Sequence, residues 1–161
     1  MKKSLWKKVL AVLALIFVAI QFIPYGRDHD NPPATNNVNW DSPQTKETFY
    51  TACADCHSNE TVWPWYSNIA PASWLVQYDV EEARSHFNIS EEDGLGHADE
   101  AYELVEAGEM PLWYFVPLHS EANLSKQEKI EFITGLKTTF PKETKSSEEE
   151  GEDPSHEDHE H

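Results

Sequence analysis

Cys53-Ala54-Asp55-Cys56-His57 is the stretch on which the reading of this chain turns. It has the form C-x-x-C-H, the attachment signature of a c-type haem. Two thiols two residues apart can add to the two vinyl groups on one edge of a porphyrin. The histidine that follows then lies under the macrocycle, where imidazole binds iron as the proximal ligand. Cys53 and Cys56 are the only cysteines. Half of a four-cysteine zinc site is therefore ruled out, while a site completed by histidine stays open. A thioredoxin-like dithiol is the other competitor, and no βαβ pattern surrounds the motif.

Working outward, Ser42-Pro43 reads as a helix start, with Ser as N-cap and Pro at the first helical position. That helix runs through Thr48, Phe49 and Tyr50 into the cysteines. On the other side, Trp63-Pro64-Trp65-Tyr66 gathers aromatic rings in a stretch where Pro64 and Pro71 disfavour regular helix. Such rings are commonly plain core. Here they also suit the flat apolar walls of a buried haem. A second helix is predicted over residues 71–87, with Trp74, Leu75, Tyr78 and Ala83 as its apolar face and Asp79, Glu81, Glu82 and Arg84 on the wet side. A weaker helical pattern over residues 98–107 ends at Gly108. Ser125-Lys126-Gln127-Glu128 is a capping box ahead of Ile130, Phe132, Ile133 and Leu136. This last helix is expected to pack on the one that leads into the cysteines.

Met110 is the only methionine after the initiator, and it lies in the loop Gly108-Glu109-Met110-Pro111. A thioether there suits the sixth position of a haem iron and would raise its reduction potential. The plain alternative is a gap-filling core methionine. Among the histidines, His119 in a second loop is the strongest rival for that position. His86 and His97 read as surface residues.

The ends of the chain have their own character. Lys2, Lys3, Lys7 and Lys8 precede the uninterrupted apolar run Val9–Ile20. This reads as a signal segment or an uncleaved membrane anchor. The bulky residues 20–25 lack a small-residue cleavage site and favour the anchor, a transmembrane helix with the lysines in the cytoplasm and the remainder exported. Residues 25–39 are rich in Asn, Pro and Asp and read as a linker. From Pro141 to His161 the composition is that of a disordered acidic tail. Its His156, His159 and His161 offer at most a weak metal site. Net charge is −17, and only eight of the twelve Lys and Arg lie beyond the leading lysines, against 29 Asp and Glu. Such a chain is no nucleic-acid binder, and it suits a basic protein partner.

Taken in order, Cys53 to His57, Trp63 to Tyr66, Asn88 to Ser90, Gly108 to Pro111 and His119 to Ser125 resemble the bacterial haem-binding domain family, small exported cytochrome-c-like proteins. The resemblance covers residues 40–140. It implies one covalent haem c, held by Cys53 and Cys56, with His57 as proximal iron ligand and Met110 as the natural distal one. The family pattern has Gly-Arg where Ala83-Arg84 stands, a second Pro where Leu112 stands, and His-Pro where His119-Ser120 stands. A propionate-pairing role for Arg84 is therefore not carried over.

The expectation is an all-α, cytochrome-c-like domain over residues 40–140, with an anchor or signal segment at 1–24, a linker at 25–39 and an acidic tail at 141–161. One-electron transfer to unidentified redox proteins, on the outer face of the cytoplasmic membrane, is the expected activity. A haem-based sensor, or a peroxidase using His119 or His97, is the alternative. Either of these would need an open sixth position.

Overall fold

Ser42 closes an extended stretch of chain, and helix α2 (Pro43–Ala52) begins at the next residue. The Ser42 side chain accepts the Thr45 N–H, and Pro43 occupies a position whose N–H would have had no helical partner. Cys53 leaves helical geometry at φ −130° and ends α2, while its N–H still reaches the Phe49 carbonyl. It also starts a single turn, α3 (Ala54–His57), in which the Cys56 and His57 N–H groups both bond the Cys53 carbonyl, at 3.1 and 2.9 Å. The whole motif is thereby folded on one turn.

A computed structural model describes residues 2–142 of the chain. The remaining helices are α1 (Lys2–Ile20), α4 (Ala72–His86), α5 (Ala101–Ala107) and α6 (Lys126–Thr139). Short 3-10 turns at Trp65–Asn68, Ala98–Glu100, Val116–Leu118 and Ser120–Ala122 shape the connections. Among the described residues there are no strands, so the all-α expectation holds. Gly108 ends α5 in left-handed geometry at φ 78°, where a side chain would be strained. Both arms of the Ser125–Glu128 capping box are formed.

Helix α6 packs against α2 and α5, as its apolar pattern predicts for α2. The core between them holds Phe49, Phe87, Val105, Phe132, Leu136 and Phe140, and Trp40 lies across Phe49 and Phe140. Helix α4 keeps Ala83 of the predicted face buried and Trp74 half-buried, but is otherwise turned from it. It buries Ser73, Val80 and Ala83, whereas Leu75 and Tyr78 are exposed. The Gly26 backbone comes close at Ser73, while Val80 and Ala83 supply the apolar part of the buried face.

Two expectations about the N-terminal third are revised. No helix among the described residues is long and apolar enough to cross a membrane, so a transmembrane helix is not supported. The lysines occupy the first two turns of α1. The uninterrupted apolar part, Val9–Ile20, then spans about 18 Å against a hydrocarbon layer of about 30 Å. Its large side chains, from Val9 to Val18, are exposed. The presumed linker, residues 25–39, has no regular secondary structure but is laid along the domain rather than hanging free. The Gln21 amide exchanges two hydrogen bonds with the Ala70 backbone, at 2.9 and 3.0 Å. Gly26 lies so close to Ser73 and Gln77 that no Cβ would fit. The His29 ring stacks on Trp63, and the Thr35 and Asn36 N–H groups bond the Ser90 carbonyl. Short polar side chains that suggest a solvated tether here supply the bonds that fasten it.

At the other end, Lys142 forms an ion pair with Glu103 at 2.8 Å. The rest of the expected tail, including His156, His159 and His161, lies outside the described residues.

Candidate haem site

His57 is nine-tenths buried and stacks on Phe87, with ring centroids 3.9 Å apart and planes 12° apart. Its Nδ1 lies 3.1 Å from the Phe87 carbonyl oxygen. A proton on Nδ1 donated to that carbonyl leaves the lone pair on Nε2, the arrangement typical of a metal-ligating histidine. Burial pulls the His57 pKa down to about 4, with the Phe87 and Ala83 carbonyls acting in the opposite direction. The imidazole is therefore neutral at pH 7, as a ligand must be.

The two cysteines are free and half-buried. Burial pushes both thiols up to about 12, and the charges of Asp55 and Asp79 add to the effect at Cys56. A dithiol enzyme needs one thiol lowered rather than raised. This environment thus argues against the thioredoxin-like reading. Among the described residues no group of three or more His, Cys, Asp or Glu is placed to hold a metal ion, which leaves a zinc reading without its other ligands.

A buried polar network fixes the exit from the motif. Ser58 Oγ donates to the Ala54 carbonyl at 2.6 Å, the Asn59 N–H donates to Ser90 Oγ, and the Asn88 amide donates to Asn59 Oδ1 at 2.7 Å. The Ile89 N–H reaches the His57 carbonyl at 3.0 Å. Asn88 and Ser90 thus hold Asn59, two residues beyond His57, while Ile89 holds the His57 carbonyl itself. Arg84 reaches over the same region. It donates to the Ser58 and Asp30 carbonyls, Asn31 Oδ1 and Thr61 Oγ1, at 2.9 to 3.2 Å. With those bonds made, it is a brace between the motif loop and the segment at 30–31. Sequence reasoning missed this role, because all four partners are distant in the chain and two of them are backbone carbonyls.

Beside Cys56 lies a cavity of about 40 Å³, lined among others by Asp55, Tyr66, Asp79, Phe115 and His119. A more open groove of about 420 Å³ adjoins it, sharing Asp55, Val62, Pro64 and His119. Volumes of that size suit a cofactor-sized ligand. Within this region the Tyr114 hydroxyl donates to Asp79 at 3.1 Å. Burial and the Asp79 charge push Tyr114 up to about 12, and burial also raises the Asp79 carboxyl. His119 is half-buried, stacks on Phe115 at 3.8 Å, and has its Nδ1 3.1 Å from the Phe115 carbonyl.

The structure sorts the other predicted residues. Met110 is half-buried at the margin of the apolar core that Cys53 also touches, and it is not among the residues lining the cavity or the groove. Of the aromatic run, Pro64 and Tyr66 face the cavity, Trp63 covers His29, and Trp65 is 76% exposed. His86 and His97 lie on the surface, each beside a glutamate.

The haem-binding domain family matches the chain over residues 15–138. The chain belongs to that family. No curated protein and no solved structure matches it. The match begins inside α1 and takes in residues 25–39, in keeping with a segment fastened to the haem-binding domain. Haem binding is thus the activity of this domain, and its residues fit the group. Two thiols share one turn, a buried imidazole is held neutral with Nδ1 engaged, and the small cavity beside Cys56 opens into a larger groove past Asp55 and His119.

Proposed function

We propose that this haem-binding domain carries one covalent haem c and serves as a one-electron carrier on the outer face of the cytoplasmic membrane. The observation that carries the reading is the motif turn itself, with Cys53, Cys56 and a neutral, buried His57 gathered on it. Cys53 and Cys56 would hold the group through two thioethers. Each thiol would supply both its sulfur and its hydrogen to one vinyl group, so that attachment would need no oxidant. His57 would be the proximal ligand, its tautomer set by the Phe87 carbonyl. When bound, the haem supplies a one-electron couple to the domain.

The other residues act on position and environment. Phe87 and the Asn88–Ser90 clamp fix the imidazole plane. Arg84 keeps the loop after His57 closed over the motif. The apolar core around Phe49 and Phe87 keeps water from the proximal side, which tunes the potential. The charge of −17 fits a basic redox partner. Localisation rests on the lysine-led apolar α1, with its exposed apolar side chains as the means of attachment to the membrane.

Denaturing mass spectrometry tests the first claim. In a strain competent for cytochrome c maturation, the chain should gain the mass of one haem, and Cys53→Ala/Cys56→Ala should not. An unmodified mass for the parent would overturn covalent attachment. Voltammetry of the loaded protein should show a reversible one-electron wave. A high-spin ferric spectrum with rapid CO or peroxide binding would instead favour the sensor or peroxidase reading.

A further inference from the structure

His57 and His119 are built into the same local unit. In each, Nδ1 lies 3.1 Å from the backbone carbonyl of a phenylalanine, and the imidazole lies flat on that residue's own ring. The centroid distances are 3.9 and 3.8 Å, and the interplanar angles 12° and 8°. The constraint does two things. It fixes the proton on Nδ1, so that Nε2 is the free donor nitrogen, and it removes the rotational freedom that ligation would otherwise have to freeze.

At His119 the unit is short-range in the chain. The His119 N–H bonds both the Phe115 and Val116 carbonyls at 3.1 Å, closing the 3-10 turn Val116–Leu118. Phe115 and His119 are then stacked one turn apart. Both line the cavity that also contains Cys56. Met110 is placed otherwise. It packs on the apolar core, where a thioether serves as filler.

From this matched geometry we infer that His119, and not Met110, is the second axial ligand of the haem iron, giving a bis-histidine site with His57. The inference rests on the haem reading above. Its consequence is a lower reduction potential than a histidine–methionine pair would give, because the thioether raises the potential and imidazole does not. With both positions filled by side chains, substrate chemistry at the metal is suppressed.

The test uses the full-length, haem-loaded chain. The ferric parent should be low-spin and lack the near-infrared charge-transfer band of a methionine–iron bond. Met110→Leu should leave spectrum and potential unchanged. His119→Gln should lose the low-spin signature or acquire a replacement ligand. Should His119→Gln fold poorly, His119→Met gives the complementary readout: a methionine charge-transfer band appears and the potential rises. A charge-transfer band in the parent that Met110→Leu abolishes would overturn the inference, as would a His119→Gln spectrum identical to the parent's. A parent with no haem adduct by mass fails the covalent reading instead. The two failures are thus separable.

Discussion

Helices α2 and α6 cross at Gly135, and that contact holds the first turn of α2, the helix from whose far end the cysteine motif departs. A Cβ at residue 135 would lie 2.8 Å from Thr45 Cγ2 and 2.9 Å from Thr45 Cβ, with Thr45 Oγ1 nearer still. Thr45 is only 4% exposed, and its hydroxyl is 3.0 Å from Ser42 Oγ at the N-cap. It therefore has no solvent-facing rotamer to retreat to. Gly135→Ala gains about 1 kcal/mol from helix propensity. It loses about 1–3 kcal/mol to overpacking, and a backbone-fixed Cβ against a buried β-branched residue belongs at the upper end of that range. The expected net loss is about 1–2 kcal/mol. Thr45→Ala removes Oγ1 and Cγ2, so the double variant should recover stability relative to the sum of the single changes. The coupling should be about 1 kcal/mol or more. Urea unfolding of the loaded chain, followed by far-ultraviolet circular dichroism, measures this as a shift in midpoint at unchanged slope. A Gly135→Ala variant as stable as the parent, or strict additivity with Thr45→Ala, would refute the close-crossing argument.

Two further outcomes follow from the site. In the chain prepared without haem, burial holds His57 at about 4, while the same residue in the unfolded chain titrates near its ordinary 6.5. Between these values the unfolded state binds the extra proton. Stability due to this group is therefore full above pH 6.5, falls as pH drops toward 4, and is flat below. The loss is about 3 kcal/mol, and the pH dependence of unfolding midpoints should flatten over that window in His57→Gln. An unchanged slope would contradict the buried neutral imidazole. Arg84→Gln should cost about 2 kcal/mol by leaving several carbonyl and hydroxyl partners short of a charged donor. Amide hydrogen exchange should then speed up at Thr35 and Asn36 while α6 keeps its protection. Equal protection of the 25–39 segment in parent and variant would remove Arg84 as the brace.

Much of the helical framework was legible because its signals are local. Ser42-Pro43, the Ser125–Glu128 box and Gly108 each act through atoms within a few residues, and each helix boundary falls where these residues put it. The orientation of α4 was less so. Of the expected face Trp74, Leu75, Tyr78 and Ala83, only Ala83 is buried; the observed contact adds Ser73 and Val80 and leaves Leu75 and Tyr78 exposed, with Ser73 lying against the closely packed Gly26. The segment at 25–39 was misjudged for a related reason. Asn31, Thr35 and Asn36 are polar by composition, but their partners at Thr61, Ile89 and Ser90 lie far along the chain, and composition says nothing of pairing at that distance.

The site divides along the same line. A covalent motif must be contiguous, so Cys53, Cys56 and His57 could be singled out from sequence, and one turn of helix delivers them together. A distal ligand carries no such constraint, since any loop can bring it. Its identity follows from what holds the side chain, and the sequence offers only residue types. On residue type alone, the single internal methionine outranked the histidine. The geometry reverses that order. The Phe115–His119 pair repeats the Phe87–His57 pair in both hydrogen bond and stacking, although the partner is four residues earlier in one case and thirty residues later in the other. Two different chain routes arrive at one arrangement, an imidazole laid flat on a phenylalanine ring with Nδ1 tied back to that residue's carbonyl. That convergence is a stronger argument for ligation than the chemistry of a lone thioether in an apolar margin.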